Sequence, residues 1–385
     1  MVWLVDRRLP CNYIYVKNSC KGGINMRKKY LDNIRWITVI LVVIYHVLYM
    51  YNAEGIPGTL GRITDLPVQY YDMYQYFVYP WFMFVLFIVS GISARSYLTR
   101  HSEGEFLRTR TAKLLVPSTI GLFAFHFIQG MVSAKIAGGF ESLMQVPAVI
   151  RYLIIVVSGT GVLWFIQVLW VYSLLLVPIR KIEKDRLWKA GSRTGILLLT
   201  AMAVPVWAAA QILNTPIIAV YRFGFYAAAF FLGYFVFSHE EVIDRLRKHF
   251  GWLLMAALVL GISFCVINFG KNYADAPVNR TFLFTAYAWF ASLAILGGAA
   301  GYLDFETPFT RWMAGHSFGL YLFHYLGIST VALLIGRTGI FPPALVYACS
   351  LAAGFAAGYI LYEVISRIPV YRWAVLGIKK TRSAR

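Results

Sequence analysis

Apolar residues in this chain fall into long blocks, each of a length that a helix needs to cross a bilayer, separated by short polar connections. The blocks run over about 33–52, 76–98, 114–138, 161–180, 194–212, 222–238, 251–270, 281–302, 312–336 and 343–365. Between the third and fourth, Val146 to Val157 is apolar but short, and Pro147 and Arg151 interrupt it. It reads as an interfacial or re-entrant piece. The pattern predicts an all-α fold, a polytopic transmembrane helical bundle of about ten spans.

Composition agrees. Of 385 residues, 59% are hydrophobic and only 14% charged, against about 25% charged in a soluble domain. The net charge of +19 invites a nucleic-acid reading, but its placement argues otherwise. Arg62, Lys135, Arg151, Arg222, Lys271, Arg280 and Arg337 lie in one set of connections and Arg35 at a span start, which leaves 28 of the 36 basic residues in the other set. Positive charge collects on the cytoplasmic side, so both termini are expected there, in a multi-pass protein of the plasma membrane. The charge then faces anionic lipid headgroups, and no nucleic-acid partner is expected. Residues 1–29 read as a cytoplasmic tail without a secretory signal. Met26, followed by Arg27-Lys28-Lys29, reads as a start site, with 1–25 an upstream extension or part of that tail. A membrane domain occupies 30–373 and a basic tail 374–385. Cys11, Cys20, Cys265 and Cys349 lack metal-ligand spacing, so no metal and no disulfide framework are expected.

The first span carries a permanent cation and an imidazole, Arg35 and His46. Eleven residues of helix return His46 to within roughly 20° of the Arg35 face, about 16 Å further along the axis. Two readings stand. Arg35 can snorkel to the interface while His46 is a satisfied bundle residue, or the pair marks a site, because ionisable groups in lipid are expensive.

Other constellations share this ambiguity. Arg95, Arg100, Arg108, Arg110 and Lys113 form a basic connection closed by Pro117. They either set topology or cradle a polyanion, with Arg110 and Lys113 one helical turn apart. Ser317, Tyr321 and His324 fall on one helical face, as interhelical hydrogen-bonding groups or as a cavity wall. Glu363 requires a cationic partner or a cavity, and pairing with a nearby basic residue is favoured. Trp164, by position alone, is an interface anchor, and His126 is structural. The aromatic cluster Tyr70, Tyr71, Tyr74 and Tyr76 fits an interfacial belt.

Taken in order, these residues resemble the acyltransferase family 3 of integral membrane O-acyltransferases, in its glucan-modifying branch. The resemblance rests on Arg35 with His46, Phe87-Ile-Val-Ser90-Gly91, Arg110-Thr-Ala-Lys113-Leu-Leu-Val-Pro117, Leu163-Trp164-Phe165-Ile166, Ser317 with Tyr321 and His324, and Glu363 with Pro369. Lys113 stands where arginine is common, which keeps the charge and loses the fork geometry. The resemblance implies transfer of an acyl group, acetyl or succinyl, from acyl-CoA to a hydroxyl of an extracytoplasmic carbohydrate, with no permanently bound cofactor. It implies His46 and Arg35 as catalytic residues and Arg108, Arg110 and Lys113 as holders of the acyl-CoA phosphates. It implies Trp164, Ser317, Tyr321, His324 and Glu363 as cavity residues. A proton-coupled transporter or flippase is the rival reading, and a haem protein using His46 and His324 a second. The oligomeric state is left open.

Overall fold

The computed structural model describes residues 28–56, 58–215 and 220–378. The expected start at Met26, the upstream stretch, Cys11 and Cys20 lie outside them. Among the described residues the architecture is helical, with one isolated bridge, Asn214 to Arg222, and no strand.

Among the described residues, eight helical segments are long and apolar enough to cross a membrane: Lys29–Met50, Tyr70–Leu98, Glu103–Ile136, Gly161–Glu183, Phe250–Asn268, Phe282–Tyr302, Pro308–Thr338 and Pro343–Arg367. The blocks expected at 194–212 and 222–238 form shorter apolar helices, Ile196–Ala209 and Phe223–Phe235. The first of these is split into Ile196–Ala201 and Ala203–Ala209. Pro205 accounts for the break, since its ring clashes with the carbonyl four residues back and it offers no N–H. The 139–160 region folds as Phe140–Met144 and Ala148–Ser158, the latter an eleven-residue helix.

The Tyr70–Leu98 segment is the most buried of the candidate spans and forms the middle of the bundle. Its regular helix begins at Phe82, just past Pro80. Gly91 lets it touch the Phe223–Phe235 helix backbone to backbone: a Cβ there would lie 2.0 Å from the Phe230 carbonyl oxygen, and one at Gly233 would lie 2.2 Å from that of Ile88. Small residues at such a crossing replace the hydrophobic driving force that lipid removes. At the periphery, Phe250–Asn268 and Pro343–Arg367 are the least buried spans. They expose Met255, Val259, Ile262, Ile360 and Val364, the apolar surface that lipid covers.

Two local irregularities position the site. The helix from Glu103 starts on a Ser102–Glu105 capping box and widens into π-helical turns at Thr111–Leu115 and Leu122–His126, a distortion frequent at functional positions. The Pro369–Leu376 helix packs under this widened stretch, and Gly377, at φ +61°, abuts the Ala112 carbonyl where a Cβ would have no room. The helix carrying Ser317, Tyr321 and His324 opens on a second capping box, Thr307 with Thr310, and has Pro308 at its first position. It lies against both the first helix and Pro343–Arg367.

Candidate active site

Arg35 is 6% exposed, so it does not snorkel to an interface. Its Nη1 donates to Asp32 Oδ1 at 2.6 Å, and its Nη2 donates to the Ser93 hydroxyl. Ser93 Oγ in turn donates to the Val89 carbonyl at 2.8 Å. A buried cation needs such a paired and fully bonded setting. Asp32 lies one turn before Arg35 and Ser93 comes from the central helix, so both orient the guanidinium.

That guanidinium lines a narrow chamber of about 50 Å³ with Arg110, Lys113, Ser90, Ser317 and Tyr321. This basic chamber has room for a few water molecules or a slender chain, too little for a sugar ring. Arg110 lies over the Phe106 ring at 5.1 Å, and its Nη2 is buried without a hydrogen-bond partner. Of the chamber's three cations, only Arg35 has a carboxylate partner among the described residues. Two positive charges remain uncompensated, which suits an anionic ligand. Three serine hydroxyls of the chamber donate to backbone carbonyls: Ser90 to Leu86, Ser93 to Val89 and Ser317 to Ala314.

A second, larger chamber of about 310 Å³ is lined by His46, Tyr45, Tyr79, Trp164, Tyr226, Asp275, Tyr321 and Tyr325, among others. Its size falls in the range of small-molecule sites, roughly 300–1,000 Å³. Trp164 belongs to this wall, with its ring 5.2 Å from that of Tyr226. The position-only expectation of an interface anchor therefore does not describe it. Tyr321 lines both chambers, and its hydroxyl donates to the Val162 carbonyl, fixing the ring at their boundary.

The hydrogen bonds assign the tautomers. A carbonyl only accepts, so His46 Nδ1, 2.9 Å from the Val42 carbonyl, carries a proton. His324 Nδ1, 2.9 Å from the Leu320 carbonyl, carries one too. His324 Nε2 then presents a lone pair to His46 Nδ1 at 3.1 Å. His46 Nε2 is left with a lone pair of its own, as a general base requires. His324 is fully buried and occupies the orienting position behind it. Directly hydrogen-bonded imidazoles leave no gap for a haem iron, which removes support for the haem reading.

Other expected site residues sit elsewhere. Arg108 is exposed and lines neither chamber. Glu363 is bonded to His316 Nε2 at 3.2 Å and to Arg367 at 3.3 Å, outside both linings; the favoured pairing with a nearby basic residue describes it. The tyrosine cluster divides: Tyr70 is 72% exposed, whereas Tyr76 is fully buried, its single O–H shared between Glu54 Oε1 and the Lys271 carbonyl. Asp32 and Ser93 were not singled out from the sequence. The three-residue spacing of Asp32 from Arg35 was a signal for the first, while nothing local marked Ser93. His126, buried and stacked on Phe323, lies outside both linings.

Buried ionisable groups thus line two chambers that share Tyr321, inside an apolar helical bundle. The family model described as "Acyltransferase domain" matches residues 28–363, and the chain belongs to that family of integral membrane O-acyltransferases. Among curated proteins it is similar to Glucans biosynthesis protein C of Escherichia coli O139:H28 (strain E24377A / ETEC) and of Shigella boydii serotype 4 (strain Sb227). Each is 20% identical over 373 residues, covering 91% of this chain and 94% of the relative. No solved structure matches.

Proposed function

We propose that the protein moves an acyl group from acyl-CoA, held in the basic chamber, to a hydroxyl of a carbohydrate held in the histidine chamber. The observation that carries this reading is the shared boundary at Tyr321, with three cations on one side and an oriented imidazole on the other. The basic chamber takes Arg110 and Lys113 from the end of the bundle read as cytoplasmic, where acyl-CoA is available, whereas Gly161, Val220, Asn272 and Asp275 of the histidine chamber belong to the connections read as lying on the opposite side. The relatives' name supports a glucan or similar glycan as acceptor, in the cell envelope and with the plasma membrane as the site of action. Acetyl is the expected acyl group.

In this reading Arg110 and Lys113 neutralise donor phosphates, and Arg35, held by Asp32 and Ser93, meets the acyl thioester arm. His46 Nε2 takes the proton from the acceptor hydroxyl, whose oxygen attacks the thioester carbonyl carbon. The C–S bond breaks, the thiolate leaves and the His46 imidazolium returns the proton to it, giving an ester and free thiol. His324 Nε2 accepts from His46 Nδ1 throughout, which holds the tautomer and eases the transient charge. The serines of the basic chamber donate to backbone carbonyls, which supports direct transfer over an acyl-enzyme.

His46→Ala tests the base. Membranes containing that variant at wild-type level should lose acyl transfer from labelled acyl-CoA by about 10²- to 10⁴-fold. Transfer at the wild-type rate would remove His46 from the mechanism.

A further inference from the structure

Tyr45 stands one residue before His46 on the first helix and lines the same chamber, its ring edge-on to the imidazole with centroids 5.1 Å apart. It has no role in the transfer step, yet its hydroxyl ends a chain of buried hydrogen bonds that leads away from the chamber. Tyr45 Oη lies 3.2 Å from Tyr273 Oη, Tyr273 Oη lies 2.5 Å from Gln75 Oε1, and Gln75 Nε2 lies 3.1 Å from Asp72 Oδ1. Asp72, Gln75 and Tyr273 are fully buried, and none of them lines either chamber. The far end is held firmly: Asp72 Oδ2 also accepts from the Ala53 N–H at 3.0 Å and from Gln69 Nε2 at 2.8 Å.

The direction of every proton in this chain follows from its far end. A carboxylate only accepts, so the amide nitrogen of Gln75 faces Asp72 and its carbonyl oxygen faces Tyr273. That oxygen only accepts too, so the single proton of Tyr273 goes to Gln75. Tyr273 is left with lone pairs alone for its neighbour, and Tyr45 must donate to it. A phenol has one proton, so Tyr45 has none left for the chamber and can only accept there. Besides Tyr273, the hydroxyls that act electrostatically on that of Tyr45 are those of Tyr79, Tyr49 and Tyr226, all of them residues of the chamber wall. A wall tyrosine beside the base is thus fixed as an acceptor by a carboxylate that does not reach the chamber.

We infer that Tyr45 reads a second free hydroxyl of the acceptor, accepting a hydrogen bond from it while His46 engages the hydroxyl to be acylated. Asp72 and Gln75 are positioning residues that hold Tyr45 in this sense. The inference rests on the reading of the histidine chamber as the acceptor site. The substrate class that follows is a sugar or other polyol with at least two free hydroxyls. An analogue whose second hydroxyl is replaced by a group that cannot donate loses the contact, and a site built to bond a hydroxyl rejects such an analogue. No covalent bond forms or breaks at Tyr45.

The purified full chain in lipid nanodiscs can be given labelled acetyl-CoA with methyl glucoside and its monodeoxy and monodeoxyfluoro analogues. Fluorine can accept a hydrogen bond but cannot donate one. At one position other than the acylated one, wild type should therefore lose about 10-fold in kcat/KM with the deoxy and the fluoro analogue alike, mainly through KM. Tyr45→Phe should use the glucoside and both analogues equally, at about the rate wild type shows with the analogues. Gln75→Met, which touches no substrate, should shrink the same discrimination and leave transfer to the analogues near wild type, an outcome that a merely structural role would not give. Fluorine tolerated as well as hydroxyl at every position, or a discrimination that survives Tyr45→Phe, would overturn the inference while leaving acyl transfer standing. Thermal stabilisation by each sugar reads binding without chemistry. A shift with the glucoside that exceeds the shift with the analogues, and is levelled in Tyr45→Phe, supports the contact even if no sugar is acylated, in which case the functional reading is the one that fails. Equal shifts with all three sugars, or none, contradict the contact.

Discussion

The two chambers meet at one tyrosine but are built on opposite principles. The basic chamber is tight and over-supplied with positive charge, and its hydroxyls are tied to backbone carbonyls. The histidine chamber is about six times larger (310 against 50 Å³), carries a cluster of tyrosines with Phe82 and Trp164 in its wall, and holds its one imidazole by hydrogen bonds to neutral groups. A site that must grip a charged donor needs fixed cations. One that must deprotonate a neutral hydroxyl needs an imidazole kept neutral and aimed, and a positive neighbour would disfavour its protonation during the reaction. On the proposed reading, separating the two by Tyr321 lets each have the electrostatics its substrate requires.

That division can be broken from either side. The largest effect after removal of His46 is expected on the donor side. Arg110→Gln combined with Lys113→Gln removes both uncompensated charges and should raise KM for acyl-CoA by about 100-fold. KM for the acceptor should stay near wild type, as steady-state kinetics with each substrate varied will show. An equal rise in both would mean that the chambers are not separate sites. On the other side, His324→Phe removes the acceptor behind His46 Nδ1 and should lower kcat by about 10-fold. His324→Gln, which keeps an acceptor oxygen, should recover part of the loss, and wild-type turnover in the Phe variant would assign His324 to packing alone.

The smallest effect concerns Glu54, in the connection that follows the first helix. Burial raises the Glu54 carboxyl above its ordinary value, opposed by the Tyr76 hydrogen bond. Its folded-state pKa therefore exceeds its unfolded one. Above the unfolded value the unfolded chain ionises first, so the contribution of Glu54 to stability falls as pH rises through the folded pKa. Glu54→Gln should accordingly raise the thermal midpoint slightly at neutral pH, with the gain vanishing in acid. A variant less stable than wild type at neutral pH would contradict this.

Much of this was legible in the chain, for physical reasons. Arg35 and His46 could be placed on one face because a helix fixes the angle between residues eleven apart. Ser317, Tyr321 and His324 shared a face on the same argument, and the structure puts Ser317 on the basic chamber, Tyr321 at the boundary and His324 behind His46. What periodicity cannot supply is the partner. Ser93 lies 58 residues from Arg35 and His324 lies 278 from His46, and only helix packing joins them. Nor does residue type alone decide orientation: Arg108 and Arg110 are two apart, which on a helix sends one outward and the other to the chamber. The two shorter apolar helices show the limit of hydropathy, which registers the apolar residues of 194–212 but not the break that Pro205 imposes.

The central claim is that the acyl group passes between chambers facing opposite sides of the membrane. It is tested by reconstituting the protein in sealed vesicles, with labelled acetyl-CoA confined to the side of the basic connections and a sugar acceptor to the other. The account predicts labelled ester only on the acceptor side, abolished by His46→Ala. Ester formed only when donor and acceptor share one compartment would contradict it.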